Sequence, residues 1–294
     1  MSLISLKDVS KLYGFGGATT VALDEVNFDV DAGEFVAIMG PSGSGKSTML
    51  HIIGLLDRPT NGNYKLKNRS VERLRKNQRT KVRRNQIGFI YQSFNLIPNL
   101  NALENVALPL AYSYTTKVKR LKHAANVLER VGLADKEYFL PRQLSGGQAQ
   151  RVAIARALVN DPDIIIADEP TGNLDSAASR VIMELLSELN RAGSTILLVT
   201  HNPELTRYAN RVVFMHDGSI IAEEKSKFGV IPEMAKGMYF MPHKTIDDDM
   251  EGVSALMKAI PAKEKNTSKK SRKTKAKSTK TKQSKSKKKR YANR

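Results

Sequence analysis

Phe35-Val36-Ala37-Ile38-Met39-Gly40-Pro41-Ser42-Gly43-Ser44-Gly45-Lys46-Ser47-Thr48 decides the fold of this 294-residue chain. Five apolar residues run directly into a glycine-rich turn, and a second apolar run, Met49 to Leu56, follows it. A short apolar run that ends in glycine reads as a buried strand, and the run after the turn reads as a helix. The turn itself fits G-x4-G-K-[ST], the pattern of a loop that cradles phosphates. Its glycines let backbone N–H groups converge on phosphate oxygens. The helix that follows adds the partial positive charge of its N-terminus. Gly40, Pro41, Ser42, Gly43, Ser44, Gly45, Lys46, Ser47 and Thr48 are therefore expected to bind the phosphates of a nucleotide, with Lys46 on the β and γ phosphates and Ser47 on Mg²⁺.

Similar units continue outward from this stretch. Ile87-Gly88-Phe89-Ile90-Tyr91, Ile164-Ile165-Ile166-Ala167 and Thr195-Ile196-Leu197-Leu198-Val199 read as further strands. Helices are expected after Lys46, Gly147 and Asp175, the last over residues 176–190, where good helix formers carry apolar residues at helical spacing. Strands alternating with helices predict an α/β fold around a mainly parallel sheet. Asp168 and Glu169 stand at the end of the third strand. A carboxylate there reaches Mg²⁺ opposite the phosphate loop, and the next one can polarise an attacking water as general base. Taken alone, an acidic pair before Pro170 also reads as a helix start.

Leu144-Ser145-Gly146-Gly147-Gln148 narrows the reading. Ser145 offers a hydroxyl, the two glycines allow close backbone approach, and the helical pattern from Ala149 to Leu158 leaves free N–H groups facing an anion. Alone, the motif reads as a serine cap on a helix. Placed between the phosphate loop and the Asp168-Glu169 pair, it resembles the signature of the ATP-binding-cassette (ABC) ATPases. That resemblance covers residues 3 to 224 and implies a P-loop cassette: a RecA-like core with a parallel sheet, an antiparallel β subdomain and a helical subdomain. It also implies roles for other residues. His201, in Leu198-Val199-Thr200-His201-Asn202-Pro203, stands where the family has a histidine on the γ phosphate. Gln92 stands where a glutamine touches Mg²⁺ and responds to the partner. Tyr13 occupies the place of an adenine-stacking aromatic, although a tyrosine there also fits a core. Gly172-Asn173-Leu174-Asp175 matches a loop that crosses the family's dimer interface, which brings Asp175 to the nucleotide.

Three further stretches resemble one bacterial subgroup: Leu56-Asp57-Arg58-Pro59-Thr60-Asn61-Gly62, Gln92-Ser93-Phe94-Asn95-Leu96-Ile97-Pro98, and Asp168 to Asp175. This subgroup holds lipoprotein-releasing, macrolide-export, antimicrobial-peptide-resistance and cell-division ATPases. The resemblance implies a homodimer formed on ATP, an integral membrane permease as partner, and a peripheral place on the cytoplasmic face of the cell membrane. In the implied dimer, Lys46, Ser47, Gln92, Asp168, Glu169 and His201 come from one chain, and Ser145 and Gly147 from the other; Gly146 and Gln148 of the same motif are also expected to bind ATP. Ala149 departs from the subgroup, which has glutamine there. The basic extension after residue 262 also has no counterpart in its short subunits.

Composition bounds the alternatives. The chain has no cysteine, which excludes disulfides and thiolate metal sites. No stretch approaches the ~18 apolar residues of a membrane span, and the N-terminus lacks a signal pattern. The net charge is +19, but residues 263–294 hold 16 Lys/Arg and one Glu. The first 262 residues thus keep 32 basic against 28 acidic groups, only +4. The chain divides into a nucleotide-binding domain over 1–224, an extension over 225–262 and a Lys-rich tail over 263–294. In the extension, Asp247-Asp248-Asp249 precede Met250, Val253, Leu256, Met257 and Ile260 at helical spacing, a short amphipathic helix that packs on its own domain or on a partner. The tail has too little apolar surface to fold. It fits an anionic lipid surface, a nucleic acid backbone or no single partner. A soluble ATPase acting on ribosomes or nucleic acid is therefore the rival reading. Against it stand the single cassette, the absence of a long insertion before Leu144, and a tail with Tyr291 as its one aromatic. Regulation of a cell-wall enzyme through a non-transporting permease fits the subgroup as a third reading.

Overall fold

The uninterrupted apolar strands of this sequence are buried on both faces. The computed structural model describes residues 2–15, 18–112, 116–227 and 229–235. β3 (Phe35–Met39) and β8 (Thr195–Val199) are buried at all five positions, and β7 (Ile164–Asp168) at its first four. Alternate side chains enter opposite cores. Phe35, Ala37 and Met39 join Ile165, Ala167, Ile196 and Leu198 in one. Val36 and Ile38 join Ile164, Ile166, Leu197 and Val199 in the other. A sheet covered on both sides leaves no position for a polar residue until the strand ends.

With β6 (Ile87–Tyr91), β9 (Arg211–His216) and β10 (Ser219–Lys225), these strands form a six-stranded sheet in the order β10-β9-β3-β8-β7-β6. It is parallel from β9 to β6, and β10 pairs antiparallel with β9. A second sheet, in the order β2-β1-β4-β5, contains β1 (Ser2–Phe15), β2 (Ala18–Asp31), β4 (Asn61–Leu66) and β5 (Arg69–Ser70), all antiparallel. α1 (Lys46–Ile53) shares the core beneath it: Met49, Ile52 and Ile53 pack with Leu6, Phe28 and Tyr64. On the opposite face of the parallel sheet lies a helical layer. Its members α3 (Ala102–Ala107), α4 (Lys117–Arg130) and α5 (Gly146–Leu158) meet through Val106, Ala124, Leu128 and Val152. α2 (Lys76–Gln86) leads into β6, and α6 (Ser176–Arg191) into β8.

The parallel sheet, the antiparallel subdomain and the helical layer expected from the sequence are all present. The helices expected after Lys46 and Asp175 start at Lys46 and Ser176, whereas α5 begins at Gly146, ahead of its expected start, because Ser145 caps it. All the described residues fall in one compact unit. The expected helix around Met250–Ile260 and the Lys-rich tail lie outside the described residues.

Arg211, at the start of β9, ties the two sheets together. Its guanidinium donates to Glu34 ahead of β3 (2.7 Å), to Glu223 of β10 (2.7 Å) and to the Asp29 carbonyl of β2 (2.6 Å), and lies 5.4 Å from the Phe28 ring centroid. Burial works against its charge, but Glu34 and Glu223 outweigh it and hold its pKa above the ordinary arginine value. Removing a half-buried charge strands its partners. Arg211→Leu should therefore lower the unfolding free energy by about 3 kcal/mol, read as a lower urea midpoint with an unchanged slope.

Candidate functional site

β3, β6, β7 and β8 carry site residues at their carboxyl ends, along one edge of the parallel sheet. Gly40–Gly45 leave β3 there and turn into α1. Close packing forces two glycines in this loop. A Cβ on Gly40 would lie 2.2 Å from the Met215 carbonyl oxygen, and one on Gly45, whose φ is +96°, would lie 2.6 Å from the Ala22 carbonyl oxygen. The β9–β10 turn also binds the loop, since Gly218 N–H donates to the Ser44 carbonyl (3.2 Å). Thus both sheets shape the phosphate loop. Pro41, Ser42, Gly43 and Ser47 are exposed, Thr48 is half-buried and Ser44 is buried.

Lys46 is buried at the start of α1, and its ammonium donates to the carbonyls of Gly40 (2.9 Å) and Pro41 (2.7 Å). Burial lowers its pKa, and the nearby Glu169 and Asp168 carboxylates oppose that shift. Asp168 ends β7 half-buried, and burial, with the Glu169 charge beside it, raises its pKa. Glu169 follows at φ +47°, a left-handed conformation that costs a non-glycine residue about 1 kcal/mol. The twist holds its side chain against His201, with Nδ1 of His201 2.8 Å from Oε1 of Glu169. The Glu169 N–H donates to the Val199 carbonyl (3.0 Å), so the two strand ends stay joined past the last paired residues. Lysine, two carboxylates and a histidine therefore converge.

Gln92 leaves the adjacent strand end at β6. It packs on the Gly172-Asn173 turn: Asn173 Nδ2 donates to the Gln92 carbonyl (3.1 Å), and a Cβ on Gly172 would meet the Gln92 amide at 2.5 Å. Phe94 and Asn95 then adopt left-handed conformations (φ 59° and 49°), and Arg156 of α5 donates to both their carbonyls (2.8 and 2.6 Å). Asn105, fully buried on α3, pins the next part of the loop through Ile97, Leu100 and Asn101.

Tyr13 lies near the end of β1 and is 43% exposed, which leaves ring surface for stacking. Its hydroxyl donates to Asp57 (2.9 Å), and Lys11, itself 2.8 Å from Asp57, stands 4.8 Å from the ring centroid. Ser145 and Gln148 form a reciprocal capping box at the start of α5: the Gln148 N–H reaches the Ser145 hydroxyl (3.3 Å), and the Ser145 N–H reaches the Gln148 side chain (2.9 Å). Gly146 packs at Leu174 and Gly147 at Ala178. Asp175 caps α6 through the Ala178 N–H (2.7 Å). Among the described residues no hydrogen bond joins Ser145–Gln148 to Gly40–Thr48. The phosphate-loop side and the signature turn thus stand as two separate groups. Ala149 is buried in α5 and faces the core.

Sequence reasoning missed three supports of this site. The Asp217-Gly218 turn has positive φ at both residues (43° and 81°), the two-residue hairpin geometry that an Asp-Gly pair between apolar runs signals. The Asn173–Gln92 contact spans 81 residues and carries no local signal. Gln150 follows the signature closely, but nothing in its sequence context marks it as buried.

Comparison with known proteins agrees with this geometry. The ABC transporter family matches residues 23–172. An uncharacterized ABC transporter ATP-binding protein of Bacillus subtilis, YvrO, is 48% identical over 223 residues, covering 76% of this chain and 97% of its own. The macrolide export ATP-binding/permease protein MacB of Hyphomonas neptunium is 45% identical over 237 residues; they cover 81% of this chain but 37% of that longer protein. The dimeric ABC transporter cassette MJ0796, of Methanocaldococcus jannaschii, is 49% identical with a TM-score of 0.70, over 76% of this chain and 98% of that one. It has also been solved as a dimer in a post-hydrolysis state with ADP and Pi bound. With a phosphate loop, a paired glutamate and histidine, and a capped LSGGQ helix in one fold, the chain belongs to the ABC transporter family, as one of its ATP-hydrolysing cassettes.

Proposed function

We propose that two copies of this chain close head to tail on two ATP molecules and drive a membrane permease through cycles of closure and hydrolysis. The observation that carries this reading is the division of the nucleotide machinery. Lys46, Asp168, Glu169 and His201 meet at one sheet edge, whereas the free N–H end of α5 lies at Leu174 and Ala178 and is not bonded to that group. Each half lacks what the other offers. The dimeric MJ0796 cassette, including its ADP and Pi form, supports the same arrangement.

In this reading Tyr13 stacks on adenine, and Gly40–Thr48 wrap the phosphates. Lys46 exchanges its loop carbonyls for phosphate oxygens. Ser145, Gly146, Gly147 and Gln148 of the second copy cover the γ phosphate, with Asp175 beside them. Glu169 takes a proton from the attacking water, and His201 holds both Glu169 and the γ phosphate. Closure excludes water and strengthens each of these charges. The donor set for Mg²⁺ is the Ser47 hydroxyl, the Gln92 side-chain oxygen and the Asp168 carboxylate. All are hard oxygen ligands, and a cation would relieve the crowding of Asp168 by Glu169. Bound there, Mg²⁺ supplies neutralisation of the phosphate charge.

The permease subunit is read from the relatives' names and from the surface. No helix among the described residues is long and apolar enough to cross a membrane. A groove of about 1240 Å³ opens beside the Gln92 loop, walled by Arg83, Arg84, Phe89, Leu108, Pro109 and Tyr112. A short segment of the permease seated there would feel each movement of Gln92. On this reading the protein works at the cytoplasmic face of the membrane and couples hydrolysis to export, lipoprotein release or a mechanical signal. The relatives support this over an ATPase of ribosomes or nucleic acid. The tail adds a contact with anionic lipid, worth about 1 kcal/mol per basic residue near the surface.

Glu169→Gln should keep ATP binding, lower turnover at least ~100-fold and accumulate a dimer on size exclusion with ATP. An ATP-loaded monomer would count against the two-chain site. From solubilised membranes, the same variant should retain a permease. Lys46→Ala should abolish steady-state hydrolysis, and normal turnover would overturn the phosphate-loop assignment.

A further inference from the structure

Gln150 is the fifth residue of α5, and it is fully buried. Its Nε2 donates to two carbonyls at once: Pro170 (2.6 Å) and Tyr91 (3.3 Å). Tyr91 is the last residue of β6 and precedes Gln92, and Pro170 follows Glu169. The two strands are adjacent, and their ladder ends at the pair Tyr91–Asp168. Beyond that pair no backbone pairing between β6 and β7 holds the two exits together, and the carboxamide of Gln150 bridges them. The orientation of the amide follows from its surroundings, since turning it over would aim its oxygen at two carbonyl oxygens. Its own oxygen, Oε1, is buried without a hydrogen-bond partner.

A buried unsatisfied oxygen destabilises the fold, whereas an apolar side chain of the same shape would carry no such penalty. The side chain is therefore costly except for the two bonds its NH₂ group makes. Those bonds fix the distance between the exits that carry Gln92 and Glu169. A second side chain of the same helix, Arg156, grips the loop after Gln92 at Phe94 and Asn95. The N-terminus of this helix is the signature turn, Ser145–Gly147, which faces the nucleotide of the other copy.

We propose that Gln150 is a positioning residue for hydrolysis: through it the signature helix sets Glu169 and Gln92 relative to one another, so that engagement of one nucleotide by Ser145–Gly147 aligns the chemistry at the other. This rests on the roles given above to Glu169 and Gln92. The contact is internal to one chain and joins the two halves of the nucleotide machinery. Gln150 touches no substrate and acts only through the two strand exits.

Gln150→Glu supplies the test, with Gln150→Ala beside it. A carboxyl buried between two carbonyls has a raised pKa; protonated, it can donate one bond in place of the lost amide bonds, and ionised, it repels both oxygens. The Glu variant should approach wild-type kcat at the acid end of the range where wild type is active. As pH rises it should lose kcat reversibly while wild type does not, with KM for ATP and ATP-dependent dimer formation little changed. The Ala variant should lose kcat on the order of 100-fold at all pH values. A Glu variant whose pH profile parallels wild type overturns the proposal, as does an Ala variant with wild-type kcat or one altered only in KM. If the Ala variant does not fold, the Glu profile decides alone. Wild type is assayed alongside with Glu169→Gln. Full turnover in Glu169→Gln would mean that the reading of Glu169 has failed, whereas normal Gln150 variants with an inactive Glu169→Gln would fault Gln150 alone.

Discussion

A parallel sheet buried on both faces confines chemistry to the ends of its strands. Inside β3, β7 and β8 every side chain meets one core or the other, and an uncompensated charge there would be prohibitively costly. At the carboxyl ends the constraint lifts. Gly40, Asp168, Thr200 and Gln92 are each the final or next residue of neighbouring strands, so residues up to 160 positions apart converge without any dedicated scaffold. The site thus follows from strand parallelism, the general place for ligands in open α/β sheets.

The phosphate loop depends on elements far from it in sequence. Its glycines are fixed by the Met215 and Ala22 carbonyls, one from each sheet, and its serine carbonyl by the β9–β10 turn. Arg211 matters to nucleotide binding for that reason, although it touches no site residue described above. It keeps β2 against β9, and those two strands bound the loop. Lys46 shows how the loop stays organised: it solvates its ammonium with the loop's own carbonyls while Glu169 and Asp168 supply the countercharge. A phosphate entering the loop substitutes for bonds that are already in place, and little of the surrounding structure has to be rebuilt.

Much of this was legible in the sequence, and the limits have physical causes. Double burial makes β3, β7 and β8 continuous apolar runs, and their motifs punctuate them at the chemically required point. β1 and β2 were harder to read because bulges with positive φ at Asp8 and Glu25 break their alternation. The grouping of Lys46, Asp168, Glu169 and His201 was legible because Asp168, Glu169 and His201 stand at or just past strand ends and Lys46 ends the glycine loop that leaves another. The supports behind them were not: Asn173 on Gln92 and Gln150 on Pro170 are long-range polar contacts that leave no periodicity. The Asp217-Gly218 turn was legible by type, but its hold on the phosphate loop is tertiary.

The capping of α5 reconciles two readings of Ser145 that the sequence left open. A helix cap and a ligand contact are not exclusive uses of one serine. The box with Gln148 satisfies the Gln148 N–H and fixes the turn, while the N–H groups of Gly146 and Gly147 have no partner within the helix. Those are the groups an anion meets at a helix N-terminus, and the glycines keep the approach open. The capping box thus preforms an anion site at little cost in ordering. That site lies on the Leu174 and Ala178 side of the chain, not bonded to its own phosphate loop, so it is of use to a second nucleotide. In the proposed pair, a cassette built this way completes its chemistry only against a second copy, and hydrolysis removes the γ phosphate that both copies hold.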